Sequence, residues 1–399
     1  MNRKFIYGIV VGICAMLVVE LGGYVIVDKV CHGIGVYLWA DEKALGENTE
    51  KTVGKLGQLR EQIDTYYMDE IDEDKLVDGI YKGYMEGLGD PYTCYYTKEE
   101  YKDLMQSSSG TYCGIGATVT QNIETGAIYI LDVFDGGAAK EAGLTEGDMI
   151  YKIAGEVVVG KDLNEVVSKI KGEEGTTVEV QFYLHKEKKY KDFTLERRQI
   201  EVPTVAYKMK ENKIGYIAVS AFDEPTDEQF IAAMKDLEKQ GMKGVIVDLR
   251  DNGGGMLDTV VNMLDYLLPE GKTIVSIKDK NGKGEVYRAK DSHACTVPMV
   301  VLVNGNTASA SEVFSGAIQD LKIGTIVGTT TFGKGIVQSV IPMWDGSAIK
   351  ITTSKYYSPK GRNIHGKGIK PDVVIEMTDD AKKDIQYQKA ITVMKKLMQ

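Results

Sequence analysis

Two short segments carry residues that could perform chemistry without a metal or a cofactor. Ser309 lies among small residues at the start of a predicted helix, and Lys334 lies between two glycines further along the chain. A neutral lysine can act as the base that activates a serine nucleophile. Ser309 and Lys334 are therefore candidates for the nucleophile and base of an acyl-transfer reaction.

Ser309 also has a purely structural interpretation. Ser309 and Glu312 match a capping box, in which the two side chains satisfy the first N–H groups of a helix. Taken alone, that interpretation is favoured because caps are common at helix starts. However, Ala308 and Ala310 leave room around the hydroxyl, and a helix N-terminus stabilises developing negative charge. With a lysine downstream, this context favours a nucleophile.

Lys334 could likewise be an ordinary solvated turn residue, as most lysines between two glycines are. To act as a base, a lysine must be neutral. At a pKa near 10.4, only about one lysine in 2,500 is neutral at pH 7. Burial can lower that pKa by several units. Phe332, Ile336 and Val337 could supply an apolar wall around the amine, and Gln338 could orient it.

The histidines offer a weaker alternative base. A Ser-His-Asp triad is defined by geometry and not by chain order, so the sequence leaves it open. None of the four histidines lies at a predicted strand-to-helix junction of the kind that positions catalytic groups. They are His32, His185, His293 and His365.

Composition limits the class of protein. A chain of 399 residues suggests two or three domains. With 48 basic and 58 acidic residues the net charge is −10, which argues against general affinity for nucleic acid. The cysteines show no paired spacing and no metal-binding motif is present, so we expect neither metal nor cofactor. They are Cys14, Cys31, Cys94, Cys113 and Cys295.

The N-terminus carries a long apolar stretch, from Phe5 to Val27, that only Glu20 interrupts. It is long enough to cross about 30 Å of hydrocarbon, and the preceding Arg3 and Lys4 favour a cytoplasmic N-terminus. A cleaved signal peptide and a buried core helix are the alternatives, but no small-residue cleavage site follows. We expect a single-pass anchor in the cell membrane, with the catalytic part outside the cytoplasm.

Changes in periodicity divide the chain into six parts. Apolar residues recur at helical spacing after the anchor and its linker, and then short strands begin near residue 110. The expected parts are an anchor at 1–30, a linker at 31–52, a helical segment at 53–108, a strand-rich domain at 109–199, an α/β core at 200–375 and a C-terminal helix at 376–399.

The strand-rich domain resembles a PDZ domain, through a helix-turn-strand signature from Gly137 to Ile150. In such domains a glycine-rich loop presents backbone N–H groups to the terminal carboxylate of a peptide, which pairs with a sheet edge. The corresponding residues here are Gly114, Ile115, Gly116 and Ala117. A bulged strand start is the structural alternative for this loop.

The α/β core has continuous apolar strands that alternate with helices, which indicates a largely buried sheet. Two glycine-rich loops follow such strands, at 250–255 and 304–309. Ligands usually bind at the strand ends of this architecture. Neither loop has a phosphate-binding motif, so we interpret them as parts of an oxyanion hole.

At this point the chain resembles the carboxyl-terminal processing proteases, PDZ-containing serine proteases with a Ser-Lys dyad. The resemblance covers most of residues 50–375. It rests on Asp248-Leu249-Arg250-x-Asn252-x-Gly254-Gly255, Ala308-Ser309-Ala310-Ser311-Glu312, Thr331-Phe332-Gly333-Lys334-Gly335-x-Val337-Gln338 and Gly368-Ile369-x-Pro371-Asp372.

The resemblance implies a fold and roles for the matching residues. The core would have the strands and helices of the crotonase and ClpP folds, with the PDZ domain apparently inserted. Ser309 would be the nucleophile, Lys334 the general base and Gln338 the residue that orients the lysine. The N–H of Ala310, and one from Gly254 or Gly255, would form the oxyanion hole. Gly253 and His365 depart from residues frequent in the family, proline and glutamine.

The implied activity is endoproteolysis near the C-terminus of protein or peptide substrates with free C-termini, through a seryl acyl-enzyme. The family also implies a homodimer joined through its helical ends, with Ala381–Leu397 as a candidate contact helix. A PDZ adaptor with an inactive protease-like domain is the main alternative. A protein that binds lipids or small ligands is a third, but it would not need the lysine.

Overall fold

The structure, a computed structural model, describes residues 48–377 and 383–399. The expected N-terminal anchor therefore lies outside the described residues. In the part of the chain that is described, no helix is long and apolar enough to span a membrane. The chain divides into two units, one made of residues 48–99 with Val340–Lys350 and the other of Glu100–Ser339 with Ile351–Gln399.

The first unit consists of two helices and a short strand pair. Helix α1 spans Thr49–Tyr66 and helix α2 spans Glu73–Glu86, and neither contains a buried residue. Asp72 caps α2 by accepting the N–H of Lys75. Strand β1, Cys94–Tyr96, pairs antiparallel with residues 348–350. Because α1 already begins at Thr49, the predicted boundary of the helical segment at residue 53 falls within that helix.

The PDZ-like part of the second unit is an antiparallel sheet with two short helices. Strands β3, β4, β5, β7 and β8 lie side by side in that order, and β2 pairs with β9. The elements are α3 Lys98–Ser108, β2 Thr111–Gly114, β3 Ala117–Gln121, β4 Ile128–Val133, α4 Ala138–Glu141, β5 Met149–Ile153, β6 Glu156–Val157, α5 Leu163–Ile170, β7 Thr177–Leu184, β8 Lys189–Glu196 and β9 Arg198–Glu201.

The α/β core is built on a six-stranded sheet in the order β10-β11-β12-β15-β16-β19, parallel except for the edge strand β10. A smaller antiparallel group contains β13, β14 and part of β18. The elements are β10 Val205–Lys210, β11 Ile214–Val219, α6 Thr226–Lys239, β12 Gly244–Asp248, α7 Leu257–Leu267, β13 Thr273–Asp279, β14 Val286–Arg288, β15 Met299–Val303, α8 Ala310–Leu321, β16 Gly324–Gly328, β17 Ile336–Pro342, β18 Ala348–Tyr357, β19 Val373–Val374 and α9 Ile385–Leu397.

Both faces of the parallel sheet are covered, which explains why its central strands β12 and β15 consist largely of apolar residues. On β12, Val245 and Val247 pack into the larger core with α6, α7 and α8, whereas Ile246 packs on the opposite face with Ala390 and Met394 of α9. Successive side chains of a strand point to opposite faces. One face of the predicted contact helix is therefore buried against the sheet.

Candidate active site

Ser309 lies in the sharp turn that joins strand β15 to helix α8. Its backbone angles are φ 55° and ψ −117°, a conformation that costs free energy for a residue other than glycine. An ordinary N-cap residue has extended backbone angles instead. A strained serine between a strand and a helix is the arrangement that exposes a nucleophilic hydroxyl in α/β-hydrolases. Glu312 Oε2 also accepts the Ser309 N–H at 2.9 Å, which is the glutamate half of the predicted capping box, so both interpretations apply to Ser309.

Gly254 packs directly against the turn that carries Ser309. A Cβ atom at Gly254 would lie 2.8 Å from Ala308 O, 2.8 Å from Ser309 Cβ and 2.9 Å from the Ala310 nitrogen. Its φ of 102° also disfavours any other residue. The structure thus brings together Ser309, Ala310 and the glycine-rich loop, and Gly254 has no space for a side chain.

The predicted oxyanion donors differ in their hydrogen bonding. The Gly254 N–H donates to Asn252 Oδ1 at 2.8 Å. Within residues 48–377 and 383–399, the N–H groups of Ala310 and Gly255 donate to no other group. Since an oxyanion donor must have a free N–H, this difference in hydrogen bonding favours Gly255 over Gly254 as the partner of Ala310.

Asn252 fixes the glycine-rich loop on the serine turn. Its side chain is fully buried, and Nδ2 donates to Val219 O at 2.8 Å. The backbone carbonyl oxygen of Asn252 accepts the Ala308 N–H and the Ser311 hydroxyl, each at 3.0 Å. The two strand-end loops are therefore held together by specific bonds on both sides of Ser309.

Glu312 connects the serine turn to the lysine loop. The residue is 1% exposed, and its carboxylate accepts four hydrogen bonds. Oε2 accepts the N–H groups of Ser309 at 2.9 Å and Lys334 at 2.8 Å. Oε1 accepts the Thr331 hydroxyl at 2.5 Å and the Gly333 N–H at 2.8 Å. The main chains of the two predicted catalytic residues are consequently adjacent.

Tyr356 makes a second connection between the same two residues. Its hydroxyl, on strand β18, donates to Ser309 O at 3.0 Å and to Lys334 O. Burial and the nearby Glu312 carboxylate raise the pKa of Tyr356 well above its ordinary value, despite an opposing effect from Ser309. The hydroxyl therefore remains protonated as a donor.

The surroundings of Lys334 agree only in part with the expected apolar wall. Lys334 is half-buried and Ile336 is buried, but Phe332 is 58% exposed. Gln338 lies on β17, where its Nε2 donates to Thr352 Oγ1 at 3.3 Å. Ile336, unlike Phe332, is therefore shielded from solvent as an apolar wall requires.

Arg250 anchors the glycine-rich loop at its start. It forms ion pairs with Asp248 at 2.6 Å and with Asp384, the residue that caps helix α9, at 2.8 Å. Tyr216 donates its hydroxyl to Asp248 at 2.8 Å. The loop is thereby linked to the C-terminal helix as well as to the sheet.

The described histidines lie in other surroundings. His293 stacks on Tyr266 and His185 lies beside Gly147, whereas His365 is exposed with its backbone near Gly335. In the described part of the chain, no histidine ring is hydrogen-bonded to Ser309. The same part contains no cluster of residues that could hold a metal ion.

The predicted peptide-binding loop joins β2 to β3. Gly116 has a φ of 79°, and the N–H groups of Ile115 and Gly116 donate to no other group among the described residues. A largely apolar cavity of about 380 Å³ adjoins the loop, lined by residues that include Tyr112, Val119 and Val167. Free N–H groups beside an apolar cavity suit a peptide terminus.

The sequence does not indicate the roles that two residues of this site, Glu312 and Tyr356, have in the structure. Glu312 was assigned only to a capping box, although its carboxylate also holds Thr331, Gly333 and Lys334. Tyr356 was not singled out at all. No local signal identifies it, because its partners Ser309 and Lys334 lie on distant parts of the chain.

Comparisons with known proteins agree with this architecture. Residues 213–375 match Peptidase family S41, residues 129–183 match the PDZ domain, and residues 34–100 match the N-terminal domain of the activating protease CtpB. The carboxy-terminal processing protease CtpA of Bacillus subtilis (strain 168) is 37% identical over 357 residues, which cover 88% of this chain and 76% of CtpA.

Two further comparisons extend the similarity. The carboxy-terminal processing protease CtpB of the same organism is 36% identical over 333 residues, or 83% of this chain and 69% of CtpB. Among solved structures, a protein of the S41 protease family from Bacteroides fragilis aligns with a TM-score of 0.51, covering 83% of this chain and 98% of that chain. At 15% identity, the latter similarity concerns the fold alone.

Proposed function

Because this chain belongs to the carboxy-terminal processing proteases of Peptidase family S41, we propose that it hydrolyses protein substrates near their C-termini through a Ser309 acyl-enzyme. Lys334 is the general base and Gln338 orients it. Ala310 supplies one oxyanion donor, and Gly255, in preference to Gly254, supplies the other.

In the first step, neutral Lys334 accepts the Ser309 hydroxyl proton while Oγ attacks the carbonyl carbon of the scissile bond. The negative charge that develops on the carbonyl oxygen is stabilised by the N–H groups of Ala310 and Gly255. The intermediate then collapses, and the lysine ammonium gives its proton to the leaving amine. Water, activated by the same lysine, hydrolyses the acyl-enzyme and restores Ser309.

One observation carries this proposal: a strained Ser309 begins a helix beside an Ala310 N–H that has no acceptor among the described residues, and Glu312 binds both Ser309 and Lys334. A helix cap alone would need neither the strain nor a link to the lysine loop. The inactive PDZ adaptor would need no such site. This geometry therefore supports catalysis over either alternative class of binding protein.

The PDZ-like domain is proposed to bind the free C-terminus of the substrate at the loop from Gly114 to Ala117. A bound tail would raise the effective concentration of the scissile bond at Ser309.

We further propose that the N-terminal stretch from Phe5 to Val27 anchors the protein in the cell membrane with its catalytic part outside the cytoplasm. The length of that stretch and its basic flank support this topology.

A homodimer is proposed through the helical first unit. Helices α1 and α2 bury none of their residues within the chain, yet α2 and its C-terminal end carry exposed Ile80, Tyr81, Tyr84 and Leu88. Apolar patches of this kind mark interaction sites. Light scattering should give twice the monomer mass for the intact protein and the monomer mass for Tyr84→Glu. Equal masses for the two proteins would contradict this interface.

Labelling with a serine-directed acylating probe tests the proposed catalysis. The intact protein should form a covalent adduct on Ser309, located by mass spectrometry of its peptides. Ser309→Ala should form none, while Ser311→Ala, two positions away, retains the adduct if it folds. Absence of any adduct on folded intact protein would favour the inactive adaptor.

A further inference from the structure

Tyr356 occupies a position that its ring alone does not explain. The residue is 4% exposed, and its ring packs in the larger core with residues of the parallel sheet and its helices. Phenylalanine would fill nearly the same space without bringing a polar group into the core. Packing of the ring therefore does not account for the presence of the hydroxyl.

The hydroxyl has one proton and two acceptors. It donates to the carbonyl oxygens of Ser309 and Lys334, the former at 3.0 Å. The Ser309 carbonyl already accepts the N–H groups of Glu312 at 2.8 Å and Val313 at 3.0 Å. Tyr356 is thus not needed to satisfy that carbonyl. Instead, the Tyr356 hydroxyl joins the Ser309 carbonyl to the Lys334 carbonyl.

Glu312 provides the complementary half of this arrangement. Its carboxylate binds the N–H groups of Ser309 and Lys334, whereas the Tyr356 hydroxyl binds their carbonyl groups. Ser309 and Lys334 are therefore held by the same two side chains, Glu312 at their N–H groups and Tyr356 at their carbonyl groups. Because Ser309 has a strained backbone, such contacts are needed to maintain it.

We propose that Tyr356 is a positioning residue, whose hydroxyl sets the separation of Ser309 and Lys334 by binding both carbonyl groups. It touches neither the substrate nor the reacting atoms, and acts only through the main chain of the dyad. This inference rests on the proposed protease function. A loss of alignment between nucleophile and base slows the chemical step with little effect on substrate binding.

The test is Tyr356→Phe in the full chain, with peptide hydrolysis measured per active site. Sites are counted by the endpoint of labelling with the serine-directed probe, so that any unfolded fraction is excluded. We expect kcat to fall about 10- to 100-fold, with KM within about twofold of the intact protein. The rate of probe labelling should fall with kcat.

Tyr357→Phe is the matched control, because Tyr357 is the next residue on the strand and its side chain points to the opposite face. Its ring lies 5.2 Å from Lys278 Nζ. The substitution should leave kcat unchanged. An unchanged kcat per labelled site in Tyr356→Phe would overturn the inference, as would a rise in KM alone. If the intact protein neither hydrolyses peptides nor reacts with the probe, the proposed function fails instead.

Discussion

Glu312→Gln is the substitution whose effect follows most directly from the site. Each carboxylate oxygen accepts two hydrogen bonds, Oε2 from Ser309 and Lys334 and Oε1 from Thr331 and Gly333. A glutamine keeps one carbonyl oxygen but directs an NH2 group at the other two donors. A buried donor left unpaired costs about 1–3 kcal/mol. Two such donors give a loss of about 2–6 kcal/mol in the free energy of unfolding.

The loss should be measured by urea denaturation of the full chain followed by circular dichroism. It is a large share of the 5–15 kcal/mol that is typical of folded domains. Glu224→Gln removes a charge from an exposed loop and should change stability by no more than about 0.5 kcal/mol. If Glu312→Gln is as stable and as active as this control, the carboxylate does not hold the two loops together and our reasoning about the site is wrong.

Three further predictions concern the loops and the PDZ-like domain. Gly254→Ala should lower kcat at least tenfold, because the added methyl group would collide with the serine turn. Gly253→Ala is the control, since a methyl group there has open space and should leave kcat nearly unchanged. Equal kcat values for the two variants would refute the close packing. Burial raises the pKa of the Asp384 carboxyl, but hydrogen bonds from Arg250 and from the N–H of Tyr387, together with the charge of Arg250, outweigh burial and hold that pKa below its ordinary value. The stability that Asp384 contributes is therefore present above the ordinary pKa and is lost as the pH falls through the lower folded-state value. Asp384→Asn should therefore lose less thermal stability than the intact protein when the pH falls below about 4, and identical pH profiles would contradict this role. Finally, amidation of a substrate's C-terminus should lower kcat/KM for the intact enzyme, and equal values for the free and amidated peptides would exclude recognition of the carboxylate.

The sequence predicted most of the elements that position the site, for clear physical reasons. Strand β15 is apolar throughout, and β12 is apolar up to Asp248 at its end, because the sheet is covered on both faces. Their runs of hydrophobic residues could therefore be recognised in the sequence. The position of Ser309 followed from the same pattern, as the residue between a buried strand and a helix.

The contacts that join the two catalytic loops could not be predicted in this way. The Tyr356 hydroxyl meets Ser309 only after β18 has folded back on the core, and local periodicity carries no information about such pairs. The choice between Gly254 and Gly255 likewise depends on the bond from Gly254 to Asn252. Spacing identified the residue types, whereas tertiary hydrogen bonding determined which of their groups remain free.

The central claim is that Ser309 and Lys334 act as one catalytic unit, and steady-state peptide hydrolysis tests it most directly. Ser309→Ala, Lys334→Ala and the double variant should be folded, and each should lose activity to the same low level, because removing either member disables both. Activity that persists in folded Ser309→Ala would show that Ser309 is only a helix cap. Losses that multiply in the double variant would show that the two residues act independently, which would contradict the account.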